Sequence, residues 1–412
     1  MKDELLMRIA KDYGTPSYVF DLDAFKKRFE TVSGYFRGRA EICYAMKANP
    51  FLTGAVSGLS AGCEACSPGE YAICRRAGIP ADRIVLSGVN KEQQDIFHVM
   101  DTGGAGVYTA ESGQQLSLLE SCAAARSIRI PVLMRLTSGN QFGMDEETVL
   151  KHAMRPSDHP HLDIRGIQYY SGTQKKKTEQ ILKELVRLDE FCCRIESETG
   201  LALHTLEFGP GLYTPYFQGE AAYPEESVLT ELSRTIGNLH FTGNVVLEMG
   251  RFLAAGCGTY LTRIADCKSS CGQQYCIVDG GIHHLNYYGQ TMAMKLPFIR
   301  HLPQTPAGGG AGPSPCTVCG SLCTAADVIV KQLPLTEPRP GDLLAFERTG
   351  AYSVTEGISL FLSRRLPSVL LYSRQSGLLI AREPFPTDLL NAPQQTAARP
   401  TTADRGSAPV PY

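Results

Sequence analysis

A lysine near the start of the chain is placed to act as a nucleophilic amine. Lys47 lies in residues 44–50 (Tyr-Ala-Met-Lys-Ala-Asn-Pro), after an apolar β-type run at residues 41–43 and before a turn favoured by Asn-Pro. A lysine at a strand end is poorly solvated, and desolvation favours the neutral amine over the ammonium ion. Such an amine can form an imine with a carbonyl compound. The alternative is a structural lysine whose ammonium group simply reaches water.

A carboxylate and an arginine close a second apolar run. Residues 246–251 (Val-Leu-Glu-Met-Gly-Arg) place Glu248 at the end of this run, just before Gly250 and Arg251. A buried carboxylate without a partner is costly, so we expect Glu248 to contact a cation. That cation is either the protonated ring nitrogen of a bound cofactor or, if the segment is purely structural, Arg251.

A glycine-rich turn provides a candidate site for phosphate. Residues 204–211 (His-Thr-Leu-Glu-Phe-Gly-Pro-Gly) end a strand-like run, and Gly209 and Gly211 let backbone N–H groups approach an anion. Pro210 removes one N–H donor from this turn. The alternative interpretation is an ordinary turn without a ligand.

These segments, together with residues 13–21 (Tyr-Gly-Thr-Pro-Ser-Tyr-Val-Phe-Asp), resemble the fold-type III, alanine racemase-like decarboxylases, which include diaminopimelate and ornithine decarboxylases. The resemblance implies that Lys47 carries pyridoxal 5′-phosphate (PLP) and that Glu248 contacts the pyridine nitrogen. It also implies a set of residues at the cofactor phosphate: Gly209, Gly211, Gly250 and Arg251. The family has Glu-Pro-Gly-Arg at residues 248–251, so methionine replaces its proline here.

Other barrel residues match the family with substitutions. Residues 166–174 correspond to the segment whose histidine stacks on the cofactor ring, and Tyr170 takes that position. A phenol ring keeps the flat face but not the proton-shuttling imidazole. By resemblance, Thr173 replaces a phosphate-binding serine, and Glu64 replaces an aspartate that lies near the cofactor.

The C-terminal third contains two further family elements. Residues 319–327 (Cys-Gly-Ser-Leu-Cys-Thr-Ala-Ala-Asp) and residues 350–352 (Gly-Ala-Tyr) resemble them. By resemblance, Cys323 enters the active site of the neighbouring subunit and returns a proton after CO₂ leaves, while Tyr352 reaches the phosphate. The resemblance therefore implies a homodimer with shared active sites.

A metal site is the alternative for the cysteines and histidines. Cys316, Cys319 and Cys323, with Cys63 and Cys66, could suggest zinc, but their spacings fit no compact zinc finger, and we predict no metal. His283 and His284 follow the family element Asp-Gly-Gly. Adjacent side chains of an extended chain point to opposite faces, so we do not expect them to bind one ion together. His283 is our candidate substrate contact.

The residue after Cys323 bears on the substrate. Diaminopimelate decarboxylases have glutamate there and ornithine decarboxylases have aspartate, whereas this chain has Thr324. A hydroxyl cannot neutralise a buried ammonium, so we expect a substrate without a free distal ammonium. An arginine that diaminopimelate enzymes have after Asp-Gly-Gly is also missing, with Asn-Tyr-Tyr at residues 286–288.

The Cys-Thr pair and residues 141–145 (Gln-Phe-Gly-Met-Asp) resemble the butirosin-type branch of the family, which acts on a glutamyl group attached to an acyl carrier protein. The resemblance therefore implies either an amino acid or a carrier-bound amino-acyl group as substrate. Two alternatives remain: a meso-diaminopimelate decarboxylase that makes lysine, and a non-catalytic PLP-binding or regulatory homologue.

The elements that position these residues alternate between strands and helices. Eight strand-like runs predict a TIM-type (β/α)₈ barrel with functional groups at the strand C-terminal ends: residues 41–46, 63–66, 83–87, 106–109, 130–136, 164–170, 205–208 and 245–248. Strands without long helices follow residue 251 and predict a β-rich domain. We predict an N-terminal segment partly joining that domain (1–20), the PLP-binding barrel (21–250), the β-rich domain (251–385) and a disordered tail (386–412).

Composition excludes several classes of partner. The 412 residues carry a formal net charge of −2, which favours neither nucleic acid nor a membrane surface as a partner. No run approaches the ~20 apolar residues of a spanning helix, and the first residues lack the apolar core of a signal peptide, so we predict a cytoplasmic protein. The 14 cysteines are scattered and are expected to be reduced. Residues 307–313 are glycine-rich and predict a mobile loop.

Overall fold

The N-terminal segment connects the two parts of the structure. The structure is a computed structural model, which describes residues 1–59, 62–305 and 312–393. Helix α1 (Asp3–Tyr13) leads into strand β1 (Ser17–Asp21) and then into helix α2 (Leu22–Phe36). Strand β1 pairs with strands of the C-terminal sheet, whereas α2 is the first helix of the barrel. Strand β1 is therefore part of the same sheet as the C-terminal strands.

Eight parallel strands close into a barrel in sequence order. They are β2 (Glu41–Ala45), β3 (Gly62–Ala65), β4 (Ile84–Leu86), β5 (Val107–Ala110), β6 (Ile130–Leu136), β7 (Leu162–Tyr170), β8 (Thr205–Gly209) and β9 (Asn244–Met249). Each coincides with one of the eight predicted runs to within a few residues. The predicted TIM-type barrel is therefore confirmed, and its strand C-terminal ends lie at one mouth.

Helices cover the outside of the barrel. They are α3 (Thr53–Ser57), α4 (Pro68–Arg76), α5 (Gln93–Asp101), α6 (Gly113–Ala125), α7 (Glu146–Ala153), α8 (Thr178–Thr199), α9 (Glu225–Ile236) and the short α10 (Arg251–Ala254). Ser67 caps α4 by accepting the N–H of Glu70, and the Glu70 carboxylate accepts the N–H of Cys66 at 2.7 Å. This fixes the chain just beyond β3, next to Glu64.

The β-rich part is a nine-stranded sheet that incorporates β1. Its other strands are β10 (Gly258–Ser270), β11 (Gln273–Val278), β12 (Ile299–Leu302), β13 (Ser314–Cys319), β14 (Val328–Leu335), β15 (Leu343–Glu347), β16 (Ser368–Ser373) and β17 (Gly377–Arg382). The long strand β10 pairs with β1, β11 and β15, so it ties the sheet to the end of the barrel. Short helix α11 (Asp388–Asn391) follows the sheet.

Some predictions concern residues that the structure does not describe. The predicted mobile loop at 307–313 lies almost entirely outside the described residues, as does the tail beyond residue 393. The predicted domain boundaries stay predictions. All 14 cysteines are free thiols. Among the described residues, no helix is long and apolar enough to cross a membrane.

Candidate active site

Lys47 lies between two buried carboxylates at the mouth of the barrel. It follows β2 in a single 3₁₀ turn (Met46–Ala48). Its Nζ lies 2.8 Å from Oε2 of Glu64, which is on β3. It also lies 3.0 Å from Oε1 of Glu248, near the end of β9. The Lys47 side chain is 35% exposed, whereas those of Glu64 and Glu248 are 2% and 5% exposed. The barrel thus presents one amine, held by two acids, to an open cavity.

The two carboxylates decide the charge of the lysine. Burial by itself lowers the pKa of Lys47, but the neighbouring charges of Glu248 and Glu64 outweigh it and raise the pKa well above its usual value. Our expectation that burial would leave a neutral amine is therefore wrong for this arrangement. Sequence reasoning could place Lys47 at a strand end, but it did not place both acids around its nitrogen.

The two acids are not equivalent. Burial opposes the charge of Glu64, yet the Lys47 ammonium and hydrogen bonds hold the pKa of Glu64 at about 2. Burial and the charge of Glu64 raise the pKa of Glu248 to about 7. Because Glu248 gains or loses its proton near neutrality, a second cation beside it would fix it as the anion.

Tyr170 forms one side of the cavity. It ends β7, and Lys47 Nζ lies 5.9 Å from the centroid of its ring. A Cβ added at Gly209 would lie 2.6 Å from Cδ2 of Tyr170, so the ring rests directly on the glycine backbone. Burial raises the pKa of Tyr170, which keeps the phenol neutral. The Tyr170 ring therefore borders the cavity that contains Lys47.

Arg251 provides a cation at the opposite end of the cavity. Its Nε donates to Thr173 Oγ1 at 3.3 Å, and its Nη1 donates to the hydroxyl of Tyr216 at 3.0 Å. The guanidinium carbon lies 4.3 Å from the ring centroid of Tyr352 and 4.6 Å from that of Tyr288. A guanidinium surrounded by hydroxyl-bearing side chains and without a carboxylate partner among the described residues suits a phosphate.

Two glycines let the backbone close around this end. A Cβ at Gly250 would lie 2.8 Å from the Cβ of Ala48. Gly211 has φ of +63°, and a Cβ there would lie 2.0 Å from the carbonyl oxygen of Gly172. A larger residue at either position would collide with the neighbouring chain, so both glycines are needed for this close approach of the backbone.

One cavity joins most of the predicted site. Eight predicted residues line it: Lys47, Tyr170, Thr173, Gly211, Glu248, Gly250, Arg251 and Tyr352. Glu64 and Gly209 adjoin it through Lys47 and Tyr170. The residues present therefore fit PLP, since an amine for its aldehyde, an acid for its ring nitrogen, a ring face and a cation for its phosphate converge here.

The structure of one chain does not bring Cys323 and Thr324 to this cavity. Cys323 is exposed, Thr324 is half-buried, and neither contacts Lys47 among the described residues. Their loop is held by Asp327, whose carboxylate accepts the N–H groups of Ile282 at 2.9 Å and Leu322 at 2.8 Å. Cys323 is thus presented outward on a fixed loop.

His283 is buried beside His284. Its side chain is 1% exposed, and neither ring nitrogen has a hydrogen-bond partner within the part of the chain described. The two imidazole centroids lie 3.7 Å apart, because residues 282–284 form a turn and not the extended chain for which opposite faces were expected. Burial lowers the pKa of His283 to about 4. No three potential metal ligands cluster anywhere in residues 1–59, 62–305 and 312–393.

Sequence reasoning missed several residues around the cavity. The thiol of Cys66 lies 3.9 Å from Lys47 Nζ, and Tyr216 and Tyr288 surround Arg251. Glu207 and Gln168 share a hydrogen bond deeper in the barrel. The inward alternation of residues in β8 gave a signal for Glu207, but the tyrosines lie on loops without a periodic pattern.

Comparison with known proteins agrees with this geometry. The family model for pyridoxal-dependent decarboxylases, pyridoxal binding domain, matches residues 22–255, more than half of the chain. An L-glutamyl-[BtrI acyl-carrier protein] decarboxylase from Niallia circulans is 26% identical over 424 aligned residues, covering 96% of this chain and 98% of that protein. A diaminopimelate decarboxylase from Helicobacter pylori is 27% identical over 368 residues, covering 82% and 86%.

Solved structures share the fold. Diaminopimelate decarboxylase from Helicobacter pylori, complexed with L-lysine, matches with a TM-score of 0.83 and 24% identity over 93% of this chain and 98% of that chain. A lysine/ornithine decarboxylase from Vibrio vulnificus, complexed with cadaverine, matches with a TM-score of 0.79 and 20% identity over 90% and 96%. On the family match and the geometry together, this chain belongs to the pyridoxal-dependent decarboxylases, with PLP as its cofactor.

Proposed function

We propose that this decarboxylase removes the α-carboxyl group from an amino-acyl substrate that lacks a free distal ammonium, such as a glutamyl group attached to an acyl carrier protein. The observation that carries the proposal is Thr324, a neutral residue directly after Cys323. A buried ammonium needs a carboxylate partner, and Thr324 supplies only a hydroxyl. The Niallia circulans relative, which acts on such a carrier-bound group by name, aligns over nearly the full length of both chains.

A second candidate is meso-diaminopimelate decarboxylation. It is favoured by the Helicobacter pylori relative, which has almost the same identity to this chain as the carrier-dependent enzyme. Overall similarity therefore does not separate the two substrates. The distinction depends on the residues at the distal end of the substrate.

The residues that line the cavity would have distinct roles in the reaction. Arg251, Thr173 and Tyr352 would hold the phosphate, and Tyr170 would cover one ring face and exclude water from it. Glu248 would keep a proton on the ring nitrogen by ion pairing. When bound, PLP withdraws electrons from the α-carbon so that CO₂ can leave. Lys47 would hold the cofactor between turnovers and release it to the substrate amine.

We infer that Cys323 of a second copy completes the site as the proton donor to the α-carbon. In one chain Cys323 is exposed and is not among the described residues that line the Lys47 cavity. Its loop contacts a neighbouring segment through Arg364, which donates to the carbonyl oxygen of Ser321 at 2.6 Å. That segment exposes a row of large apolar side chains: Ile358, Leu360, Phe361 and Leu362. Such a row suits a subunit interface.

The substrate test measures CO₂ release from five compounds: a glutamyl pantetheine thioester, free glutamate, diaminopimelate, ornithine and arginine. Release from the thioester alone supports the proposal. Efficient release from diaminopimelate supports the second candidate and contradicts the first. Lys47→Ala is the control, since it should abolish release and the absorbance of lysine-bound PLP together.

Mixed subunits test the shared site. Lys47→Ala and Cys323→Ala homodimers should both be nearly inactive, but co-expression should restore about a quarter of wild-type activity, because half of the dimers would be mixed and each would have one intact site. No recovery would mean that Cys323 acts in its own chain or not at all.

A further inference from the structure

A third carboxyl group lies inside the barrel, below the pair that holds Lys47. Glu207 on β8 is 1% exposed, and its Oε1 accepts a hydrogen bond from Nε2 of Gln168 on β7 at 2.9 Å. Glu207 stands opposite Val246 in the register of β8 and β9, and Glu248 follows two residues later. Side chains two residues apart share a face of a strand, so Glu207 and Glu248 both face the barrel interior, one layer apart.

The groups around Glu207 include no cation in contact with it. Within the described part of the chain, Gln168 is its hydrogen-bond partner, and that amide also approaches the hydroxyl of Ser87, the residue after β4, at 3.4 Å. Within the described residues, the charges that act on Glu207 are those of the acids Glu248 on β9 and Glu64 on β3 and of the Lys47 ammonium, which bridges those two acids. Arg135 on β6 is opposite Gln168 in the register but pairs with Glu111 at 2.8 Å. Three further charged residues line the cavity on the other side of Glu207: Glu41, Asp82 and Arg83.

The thiol of Cys43 also lines the cavity that Glu207 lines. Burial, followed by the charges of Glu207, Glu64 and Glu248, raises the pKa of the Cys43 thiol on β2, so it stays neutral. Three carboxyl groups and the Lys47 ammonium thus lie around this part of the barrel interior. Burial, followed by the charges of Glu248 and Glu64, raises the pKa of Glu207 to about 8.

We propose that Glu207 is a positioning residue that stays a protonated carboxylic acid in the working enzyme, and that its neutral state keeps Glu248 ionised for the ring nitrogen of the cofactor. Two like charges one layer apart in a poorly solvated interior resist simultaneous ionisation. The shared proton rests on Glu207 because Glu248 contacts a cation, Lys47 in this structure and the ring nitrogen when the cofactor is bound, whereas the partner of Glu207 among the described residues is the neutral amide of Gln168. The inference rests on the family cofactor and on the role of Glu248, not on the choice of substrate.

Loss of the proton from Glu207 would have a defined consequence. A new negative charge below Glu248 would raise its affinity for a proton, so the proton on the ring nitrogen would move to Glu248 and the ion pair between them would be lost. Cofactor affinity should therefore decrease at alkaline pH. The decrease should disappear when residue 207 cannot ionise.

Glu207 can exchange its proton with solvent without passing the cofactor. It lines a cavity that opens at the N-terminal mouth of the barrel, where Thr205, Val246 and Asn244 also line it. The Lys47 cavity opens at the other mouth. Glu207 can therefore be titrated while PLP occupies its own site.

Infrared spectroscopy of the PLP-loaded protein tests this proposal directly. At pH 7 the wild type should show the carbonyl stretch of a buried protonated carboxylic acid that is absent from Glu207→Gln, and the band should vanish with a midpoint near pH 8. Glu207→Asp keeps the acid and should shift the band. Absence of the band from the wild type would overturn the proposal, even if Glu207→Gln failed to fold.

Cofactor titrations provide an independent readout. Between pH 7 and 9.5 the dissociation constant of PLP should rise about 10-fold more in the wild type than in Glu207→Gln, which is the effect of one like charge on Glu248. Glu248→Gln should bind weakly at both pH values. An equal alkaline loss of affinity in the wild type and in Glu207→Gln would contradict the assigned role of Glu207.

Discussion

The carbonyl oxygen of Ala48 accepts a hydrogen bond from the backbone N–H of Tyr352 at 2.6 Å. The next residue, Asn49, is fully buried and donates from Nδ2 to the carbonyl oxygen of Gly350 at 2.9 Å, while its Oδ1 accepts the N–H of Phe51 at 3.0 Å. The turn that follows the active-site lysine is therefore bonded to the loop that carries the phosphate-end tyrosine, although they lie in different parts of the fold.

Asn49→Ala should damage both parts of the site. It removes two hydrogen bonds and leaves the Gly350 carbonyl buried without a donor, which should lower the free energy of unfolding by about 2–4 kcal/mol. PLP affinity should also decrease, since Tyr352 loses its fixed position. Denaturant unfolding and cofactor titration measure the two effects. Asn140→Ala is the control: Asn140 makes a similar bond to the N–H of Phe142 at the surface, and its loss should cost under about 0.5 kcal/mol.

Lys47 should react slowly with amine reagents in the PLP-free protein. Glu64 and Glu248 keep its pKa well above the usual value, so little neutral amine is present at pH 8. Labelling followed by mass spectrometry should show Lys47 at least about 10-fold slower than the exposed Lys177, which serves as the internal control. Glu64→Gln removes one charge and should accelerate labelling of Lys47 alone. Equal labelling rates for Lys47 and Lys177 in the wild type would show that the two carboxylates do not keep the Lys47 amine protonated.

The motif residues were predictable because each lies at the end of a strand and has a side chain or backbone suited to one part of the chemistry. Lys47, Glu248 and Gly209 follow apolar runs that could only be barrel strands, and the family elements around them added their roles. Strands β12, β13 and β17 were not predicted, and their local signals are weaker. Strand β12 is four residues long, β13 contains Pro315, and β17 is an edge strand with exposed side chains. Their pairing depends on neighbours far away in sequence.

The electrostatics of the site were not predictable in the same way. The charge of Lys47 depends on two acids contributed by β3 and β9, which lie 184 positions apart in the chain and meet only because the barrel closes. The tyrosines at Arg251 come from separate loops. The turn at His283 likewise follows from tertiary contacts of Asp327, not from local sequence.

Arg251→Ala should weaken PLP binding by about 100-fold, because it removes the guanidinium that lines the phosphate end of the cavity. Arg251→Lys keeps a positive charge but cannot contact both Thr173 and Tyr216, so we expect an intermediate loss. Absorbance titration with PLP measures both constants. Arg126→Ala, which breaks a surface ion pair with Asp101, is the matched control and should leave the constant unchanged. Wild-type affinity in Arg251→Ala would show that the phosphate binds elsewhere.

The buried histidines should make the fold sensitive to acid. Burial lowers the pKa of His283 to about 4 and of His284 to about 3, below the usual 6.5 of the unfolded chain. The unfolded state therefore binds more protons, so this part of the stability is complete above pH 6.5 and is lost as the pH falls toward the folded-state values. Each histidine should lower the free energy of unfolding by about 2 kcal/mol between pH 7 and pH 5.

His283→Leu tests the acid sensitivity. Leucine is apolar and of similar size, so relative to the wild type this variant should lose about 2 kcal/mol less of its free energy of unfolding between pH 7 and pH 5. Denaturant unfolding at several pH values measures the slope. The exposed His98, changed to leucine, is the control and should leave the slope as in the wild type. A wild-type slope in His283→Leu would mean that its imidazole is protonated in the folded protein.

Thr324→Glu should extend the enzyme to diaminopimelate. If Thr324 of a second copy faces the distal end of the substrate, glutamate there provides the carboxylate that a distal ammonium needs when it leaves water. The value of kcat/KM for diaminopimelate should rise at least about 10-fold, while turnover of the glutamyl thioester should fall, because the new charge meets a neutral group. Thr324→Gln, neutral and equally long, is the control and should produce no such gain. Efficient wild-type turnover of diaminopimelate would refute the distal-charge argument, since Thr324 would then recognise the ammonium without a carboxylate.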